Sequence, residues 1–207
     1  MMTAAGVLTI DLAIRDASPA ALQDDRQIVD AVLAGDREAF RPLVDRESAS
    51  LVRACQRILG DQLQAEDAAQ EAFVTAYRSL ASWRGDGPFG AWLARIAVRI
   101  ALRQAARRRT VTWIEPASEP GSAAEAAGSS PDPASVVLRS ERSATIRTAV
   151  AGLDEPYRET VALRFFADLS LAEIAHETGR PLGTVKTHLH RGLQRLRSAL
   201  GERGADL

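Results

Sequence analysis

Apolar residues recur at intervals of three and four along most of the chain, which is the period of an amphipathic helix. The pattern predicts helices over about 25–34, 36–60 (continuous or restarting near Ser48), 65–80, 91–109, 136–151, 155–166, 170–178 and 182–200. Alanine, the strongest helix former, occurs 38 times, whereas there are only ten aromatic residues. The sequence therefore predicts an all-α fold.

A stretch without apolar periodicity separates two groups of helices. Residues 110–137 hold four Pro, two Gly and five Ser, and their charged residues are all acidic. Such a stretch buries too little apolar surface to offset its ordering entropy, so we interpret it as a flexible linker. The predicted organisation is an N-terminal extension, a helical domain, the acidic linker and a second helical domain, over 1–22, 23–109, 110–137 and 138–203. VLTIDLAI in the extension fits either a strand or an unstructured tail.

The composition excludes several classes of protein. A chain of 207 residues with 46% hydrophobic and 26% charged residues is typical of a globular protein. Its single cysteine, Cys55, excludes a disulfide framework and a multi-cysteine metal site, and its apolar surroundings favour the core over a nucleophilic role. With no long apolar run and no basic N-terminal signal, we expect a cytoplasmic protein without membrane insertion.

Neither a cofactor nor a catalytic site is expected. The sequence has no glycine-rich phosphate loop and no GxSxG motif. His188 and His190 are two residues apart on a predicted helix, so their rings point about 200° apart and cannot share a metal ion.

The net charge of −1 conceals a strong segregation of charge along the chain. Residues 83–109 carry seven arginines against one aspartate, and residues 180–203 carry five arginines and Lys186 against one glutamate. Residues 1–30 and 110–138 are net acidic. Two basic segments separated by an acidic one predict two contact sites on one polyanion.

Residues 169–196 carry the strongest local motif. Ser170 and Glu173 fit a capping box, Gly179 is suited to end that helix, and Pro181 precedes the next. This is the pattern of a helix-turn-helix, whose second helix lies in the major groove of DNA. The predicted core stripe of the second helix is Val185, Leu189, Leu193, Leu196 and Leu200. Its candidate DNA contacts are Thr184, Lys186, Thr187, His188, His190, Arg191 and Gln194. The alternative is a basic face that is only solvated.

Four arginines spaced by four form a slanted stripe on the predicted helix 91–109. Each step of four turns about 40°, so the stripe covers about a third of the helix circumference. Cations beside aromatic rings suit single-stranded nucleic acid, which needs a phosphate track and stacking faces. The candidate contacts are Trp83, Arg84, Phe89, Trp92, Arg95, Arg99, Arg103 and Arg107. The pattern fits equally well with aromatic rings in the core beside a solvated charged face.

The predicted helix 65–80 has one polar, partly acidic face. Its buried face is expected to hold Ala69, Ala72, Phe73, Ala76 and Leu80. The opposite face holds Asp67, Gln70, Glu71, Val74, Thr75 and Arg78. A face of this kind is usually only solvated, and the alternative is contact with a basic partner helix.

Three blocks of the chain, taken in order, resemble the extracytoplasmic-function sigma factors of bacterial RNA polymerase. They are AGDREAFRPLV, LGDQLQAEDAAQEAFVTAYRSLASWRGDGPFGAWLARIA and GLDEPYRETVALRFFADLSLAEIAHETGRPLGTVKTHLHRGLQRLR. GTVKTHL by itself is also similar to LuxR-type regulators, whereas three blocks around an acidic linker are specific. The resemblance covers about 25–109 and 138–200.

The resemblance implies a protein that assembles with core polymerase and promoter DNA and has no enzymatic activity of its own. The first module, region 2, would bind the β′ clamp helices through Asp67, Gln70, Glu71 and Val74. It would also hold the opened downstream promoter element with residues 83–109. The second module, region 4, would bind the upstream duplex element and dock on the β flap. The linker would thread toward the active-site cleft, and an anti-sigma factor is the expected inhibitory partner.

The sequence departs from the family pattern on both expected DNA surfaces. Arg99 stands where relatives often have Asn, so we expect a phosphate contact in place of direct base readout. Lys186 and His188 stand where many relatives have Arg, so the preferred upstream sequence is expected to differ.

Two other functions remain open. One is a regulator that binds duplex DNA through the helix-turn-helix without polymerase, with residues 23–109 as a sensor or dimerisation module. The other is a hydrolase or metal enzyme that uses His188 and His190 and would lose activity on chelation.

Overall fold

The computed structural model describes residues 19–112 and 133–204. Within these ranges the chain forms eight α-helices and no strand, which confirms the all-α prediction. The helices are α1 Pro19–Leu33, α2 Arg41–Leu59, α3 Gln62–Arg78, α4 Phe89–Thr112, α5 Pro133–Ala151, α6 Tyr157–Phe165, α7 Leu171–Thr178 and α8 Leu182–Gly204.

Two predicted segments fall mostly outside the described residues. These are the N-terminal extension, including VLTIDLAI, and the central part of the acidic linker. At the margins of the linker, α4 continues to Thr112 and α5 begins at Pro133, so both helices reach into the segment predicted as linker.

Short polar side chains and glycines set the helix ends of the first bundle, α1–α4. The Asp36 carboxylate accepts hydrogen bonds from the backbone N–H of Glu38 and Ala39, and a 3-10 turn leads directly into α2. Helix α2 is continuous and ends at Gly60, which adopts a φ of 77°. Asp61 then caps α3 by accepting a hydrogen bond from Gln64 N–H at 2.9 Å.

The first bundle packs tightly because α3 presents a face of small residues to α2 and α4. That face consists of Ala65, Ala68, Ala69, Ala72 and Ala76, all of which are buried. Leu43, Cys55 and Leu93 are fully buried around it. Burial raises the pKa of the Cys55 thiol to about 12, so the thiol is neutral and packs as a small apolar group.

The second bundle, α5–α8, contains the predicted helix-turn-helix. Ser170 and Glu173 form the capping box at the start of α7, and Gly179 ends that helix with a φ of 66°. The predicted core stripe of α8 is wrong at Leu193, which is exposed. Gly192 is packed in its place, since a Cβ there would lie 2.8 Å from Cγ2 of Val161. The face of α8 that packs on α6 therefore includes Gly192 and not Leu193.

The two bundles pack directly against each other. Helix α4 of the first bundle contacts α6 and α7 of the second. One apolar cluster contains the buried side chains of α4 together with Ala162, Leu163, Leu169, Ile174 and Val185. We call this packing of α6 and α7 on α4 the interbundle contact. It places the second bundle against the helix that carries the predicted arginine stripe.

Candidate nucleic-acid interface

The arginine stripe of α4 is divided by the interbundle contact. Arg99 Nε donates a hydrogen bond to Oε1 of Glu159 at 2.8 Å, and Arg95 Nε lies 3.5 Å from the same oxygen. Arg95 also donates to the backbone carbonyl of Glu177. Arg103 and Arg107 are exposed. Half of the predicted phosphate track is therefore engaged with acceptors of the second bundle.

Glu159 is the centre of this polar cluster. Its side chain is 6% exposed, and its second oxygen, Oε2, accepts a hydrogen bond from Arg180 Nη1 at 3.2 Å. Burial alone would raise the pKa of Glu159. The positive charges of Arg99 and Arg95 and the hydrogen bonds from Arg99 and Arg180 outweigh burial and hold the pKa below its usual range. Glu159 is therefore a buried, ionised carboxylate shared by the two bundles.

Sequence reasoning missed Glu159, although one signal was available. On α6 the residues three and four positions after it, Ala162 and Leu163, are fully buried. A carboxylate in line with a core face requires a charged partner, since a buried charge is costly when unpaired. Asp86, the one acidic residue within the basic segment 83–109, contacts Arg84 and His176 at 3.4 and 2.9 Å.

Two of the predicted stacking rings belong to the core. Phe89 is fully buried and Trp83 is 9% exposed. Phe89 makes edge-on contacts with Phe40 and Trp83, at centroid distances of 6.2 and 5.7 Å. Phe89 thus offers no face to a base in this structure, and its role as a stacking contact stays an untested prediction. Trp92 is half-buried and lines a cavity of about 410 Å³ between the bundles, together with Trp83, Arg84, Arg95, His176 and Glu177.

The recognition helix α8 keeps most of its predicted DNA contacts exposed. Thr184 is half-buried, and the exposed side chains are Lys186, Thr187, His190, Arg191 and Gln194. His188 differs, because its half-buried ring packs edge-on against Tyr157 at 5.7 Å. Burial, followed by the nearby charges of Arg180 and Arg191, lowers the pKa of His188. Its imidazole supports the packing of α8 on α6, and its role as a base contact stays an untested prediction.

The polar face of α3 is open along its whole length. Asp67, Gln70, Glu71 and Val74 are all exposed, and the side chain of Glu71 accepts a hydrogen bond from Gln104 Nε2 of α4 at 3.1 Å. Leu63, which sequence reasoning did not single out, lies near the start of the same helix and is 73% exposed. Acidic groups beside exposed aliphatic ones form a surface suited to a partner protein.

Comparison with known proteins identifies the family. Residues 43–111 match Sigma-70 region 2, and residues 143–196 match Sigma-70, region 4. The extracytoplasmic-function (ECF) RNA polymerase sigma factor SigW of Bacillus subtilis is 36% identical over 175 residues, which are 82% of this chain and 92% of that protein. The chain belongs to the ECF sigma factor family. It is an RNA polymerase sigma factor, with region 2 in the first bundle and region 4 in the second.

Other relatives give the same result. RNA polymerase sigma-H factor of Pseudomonas aeruginosa is 34% identical, with 86% of this chain and 94% of that protein aligned. The ECF sigma-E factor of Escherichia coli K12 is 35% identical, with coverages of 81% and 89%. The solved structure of CnrH in complex with the cytosolic domain of CnrY shares the fold, with a TM-score of 0.59, 23% identity and coverages of 86% and 98%.

Two absences hold for the described residues of this sigma factor. None of their helices is both long and apolar enough to cross a membrane. Among the same residues, His, Cys, Asp and Glu side chains form no group of three or more that could hold a metal ion.

Proposed function

We propose that this sigma factor directs promoter-specific initiation through three surfaces. The α3 face of Asp67, Gln70, Glu71 and Val74 binds the β′ clamp helices of core polymerase. The arginine stripe of α4, with Arg84 and Trp92, holds the opened downstream element. The exposed side of α8 binds the upstream duplex, and region 4 docks on the β flap.

The observation that carries the proposal is the open acidic face of α3. Its opposite, alanine-rich face is fully packed, so the acidic side chains are not needed to hold the bundle together. Exposed carboxylates at fixed positions on a rigid helix attract and orient a basic partner helix. The face is also continuous with α4 through the Gln104–Glu71 hydrogen bond, so polymerase and DNA would bind adjoining sides of region 2.

The two DNA surfaces suit different forms of DNA. Arginine side chains along one helix, such as Arg103 and Arg107, contact phosphates in any sequence. The exposed lysine, threonine and histidine of α8 carry donors and acceptors that match base edges in the major groove. This division supports melting by region 2 and sequence recognition by region 4.

The proposal also covers partners and chemistry. Core polymerase catalyses RNA synthesis, and the sigma factor has no enzymatic activity of its own. The sigma factor acts together with polymerase in the cytoplasm. Its inhibitory partner is an anti-sigma factor, as in the complex of the sigma factor RpoE with NepR from Bartonella quintana. A LuxR-type regulator is not favoured, because residues 43–111 match region 2 and not a sensor module.

The test is a titration of core polymerase with fluorescently labelled sigma factor. Replacing Asp67 and Glu71 by Lys reverses two charges at the proposed interface. Opposite charges about 4 Å apart near a protein surface interact by about 4 kcal/mol before screening. Allowing for salt, we expect Kd to rise by at least about thirtyfold, or about 2 kcal/mol.

The matched control is the double reversal of Asp30 and Asp45 to Lys, which changes the same net charge at exposed positions on α1 and α2. Its Kd should stay within about threefold of wild type. Equal affinities for the α3 variant and the control would overturn the interface assignment.

A further inference from the structure

Two consecutive residues of α1 bind the loop that leads into α4, residues 83–88. Arg26 Nε donates a hydrogen bond to the backbone carbonyl of Gly85 at 2.6 Å. Oδ2 of Asp25 accepts a hydrogen bond from the backbone N–H of Phe89, the first residue of α4, at 3.3 Å. We call these two contacts the α1 brace. It fixes the loop at its middle and at the end where α4 begins.

Asp25 is held firmly enough to anchor the start of α4. It is 3% exposed, and its other oxygen, Oδ1, accepts a hydrogen bond from Arg46 Nη2 of α2 at 2.6 Å. The first N–H groups of a helix have no partner inside the helix, and a negative charge beside them is favourable for the helix dipole. The carboxylate of Asp25 therefore supports the first turn of α4 from a neighbouring helix.

Gly85 gives the loop a backbone conformation that benefits from support by another helix. Its φ is 71°, in the region that favours glycine, and a Cβ at this position would lie 2.7 Å from Arg26 Nε. A second glycine, Gly87, follows two residues later, and glycines leave a backbone free to adopt many conformations. The hydrogen bond from Arg26 selects one of them and fixes the backbone directly after Arg84.

We propose that Asp25 and Arg26 are positioning residues for promoter opening, because the α1 brace holds the loop so that Arg84 and Trp92 meet the opened strand. The inference rests on the proposed function, in which Arg84 and Trp92 hold the opened downstream element. Neither residue of α1 has to touch DNA. Helix α1 precedes the residues that match region 2, so the brace adds an element to the module that holds DNA.

The α1 brace lies within the first bundle and does not depend on the second. The loop has a further contact with the second bundle, where His176 Nε2 lies 2.9 Å from Oδ1 of Asp86. Asp25 and Arg26 belong to the same bundle as the loop, so their hydrogen bonds persist wherever region 4 binds. A loop that is already ordered avoids the cost of ordering when the strand binds. Loss of the brace should therefore impair capture of the strand and leave core binding unchanged.

Two variants of equal side-chain length separate the hydrogen bond of Arg26 from its charge. In Arg26→Gln the amide nitrogen stands at the same position along the side chain as Nε of arginine, so a donor to Gly85 remains. Arg26→Met has the same length and no donor. Both variants lose the positive charge, so any direct attraction of Arg26 to DNA is removed equally. Arg26 is exposed, so neither replacement alters the core, and the same two replacements at exposed Arg53 of α2 are the control.

Hydrogen exchange of the free protein measures the order of the loop directly. Peptides covering 84–90 should exchange at least about threefold faster in Arg26→Met than in Arg26→Gln, because the loop opens more often without the donor. Peptides from α3 should be unchanged, and the two Arg53 variants should exchange alike. Equal exchange of 84–90 in the two Arg26 variants would overturn the α1 brace.

Promoter opening by the holoenzyme tests the functional consequence. The probe is the genomic promoter fragment that gives the strongest transcript dependent on this sigma factor, and permanganate reactivity of its thymines reports the opened strand. Opening should be at least about threefold slower with Arg26→Met than with Arg26→Gln, since capture of the strand scales with the fraction of ordered loops. Arg26→Gln should stay within about twofold of wild type.

Two results would overturn the positioning role. One is equal opening by the two Arg26 variants despite faster exchange of the loop in Arg26→Met. The other is an equal loss of opening in both variants, which would make Arg26 a direct DNA contact through its charge. Affinity for core polymerase should be the same for both variants and wild type. A failure of the α3 assignment would appear in core binding by the Asp67 and Glu71 variant, so the two failures are distinguishable.

Discussion

Arg99→Asn separates a phosphate contact from a purely structural role of the stripe. Arg99 lies one turn after Arg95 and one turn before Arg103, and its side chain is 54% exposed. In the promoter complex, with the bundles apart, we expect its guanidinium to contact a phosphate of the opened strand. Asparagine keeps a polar side chain at this position but removes the charge.

The magnitude follows from counterion release. One phosphate contact on single-stranded DNA contributes about −0.7 to the slope of log affinity against log salt. Between about 50 and 200 mM salt, wild-type holoenzyme should therefore lose about 2.5-fold more affinity than Arg99→Asn. In the free protein Glu159 keeps Arg95 and Arg180, so the loss of one half-exposed partner should destabilise the fold by no more than about 1 kcal/mol.

The assay is holoenzyme binding to one promoter at four or more salt concentrations, together with urea unfolding of the free proteins. Arg53→Asn, at an exposed position on α2, is the control and should keep the wild-type slope. A shallower slope for Arg99→Asn alone, on unrelated promoters alike, supports a phosphate contact, since phosphates carry no sequence. A wild-type slope combined with lower stability would refute it and leave Arg99 as a structural partner of Glu159 only.

Two further predictions concern region 4. The first replaces Lys186, Thr187 and His190 of α8 by alanine, one at a time. Each replacement should weaken binding to the cognate upstream element by about 1–3 kcal/mol and change the consensus sequence recovered by promoter selection. An unchanged consensus would exclude these side chains as base contacts. Burial raises the pKa of Glu177, so its carboxyl favours the folded state while protonated, below about pH 4.5, and that contribution is lost as the pH rises through the raised value. Glu177→Gln should therefore increase the free energy of unfolding at pH 7, with the gain shrinking as the pH falls toward 4.5, and a uniform effect at both pH values in urea titrations would contradict this.

Local rules predicted much of the helical framework. Ser170, Glu173 and Gly179 define the ends of α7 through hydrogen bonds between near neighbours in sequence, so the motif alone contains the information. The same holds for Asp36 and Gly60 at the two ends of the α2 segment. The exposed face of α3 also follows from helical periodicity, because its buried side is an unbroken series of alanines.

Features that depend on how helices meet were not predictable in this way. Leu193 fits an apolar stripe of α8, but the close approach of Val161 requires Gly192 at the contact. The sequence around Phe89 is compatible with either a base-stacking ring or a core residue. In the structure Phe89 packs edge-on against Phe40, which is far from it in sequence, and this contact makes Phe89 part of the core. Glu159 joins Arg99 across 60 residues of sequence, a pairing set by the packing of two bundles that no local pattern encodes.

Multi-round transcription in vitro tests the central claim most directly. Bacterial core polymerase is incubated with a library of genomic promoter fragments, with and without this sigma factor, and the 5′ ends of the transcripts are sequenced. The account predicts new transcripts that begin downstream of one shared upstream element, and their loss when Asp67 and Glu71 are both replaced by Lys. Transcripts with the same start sites and yields whether or not the protein is present would contradict it.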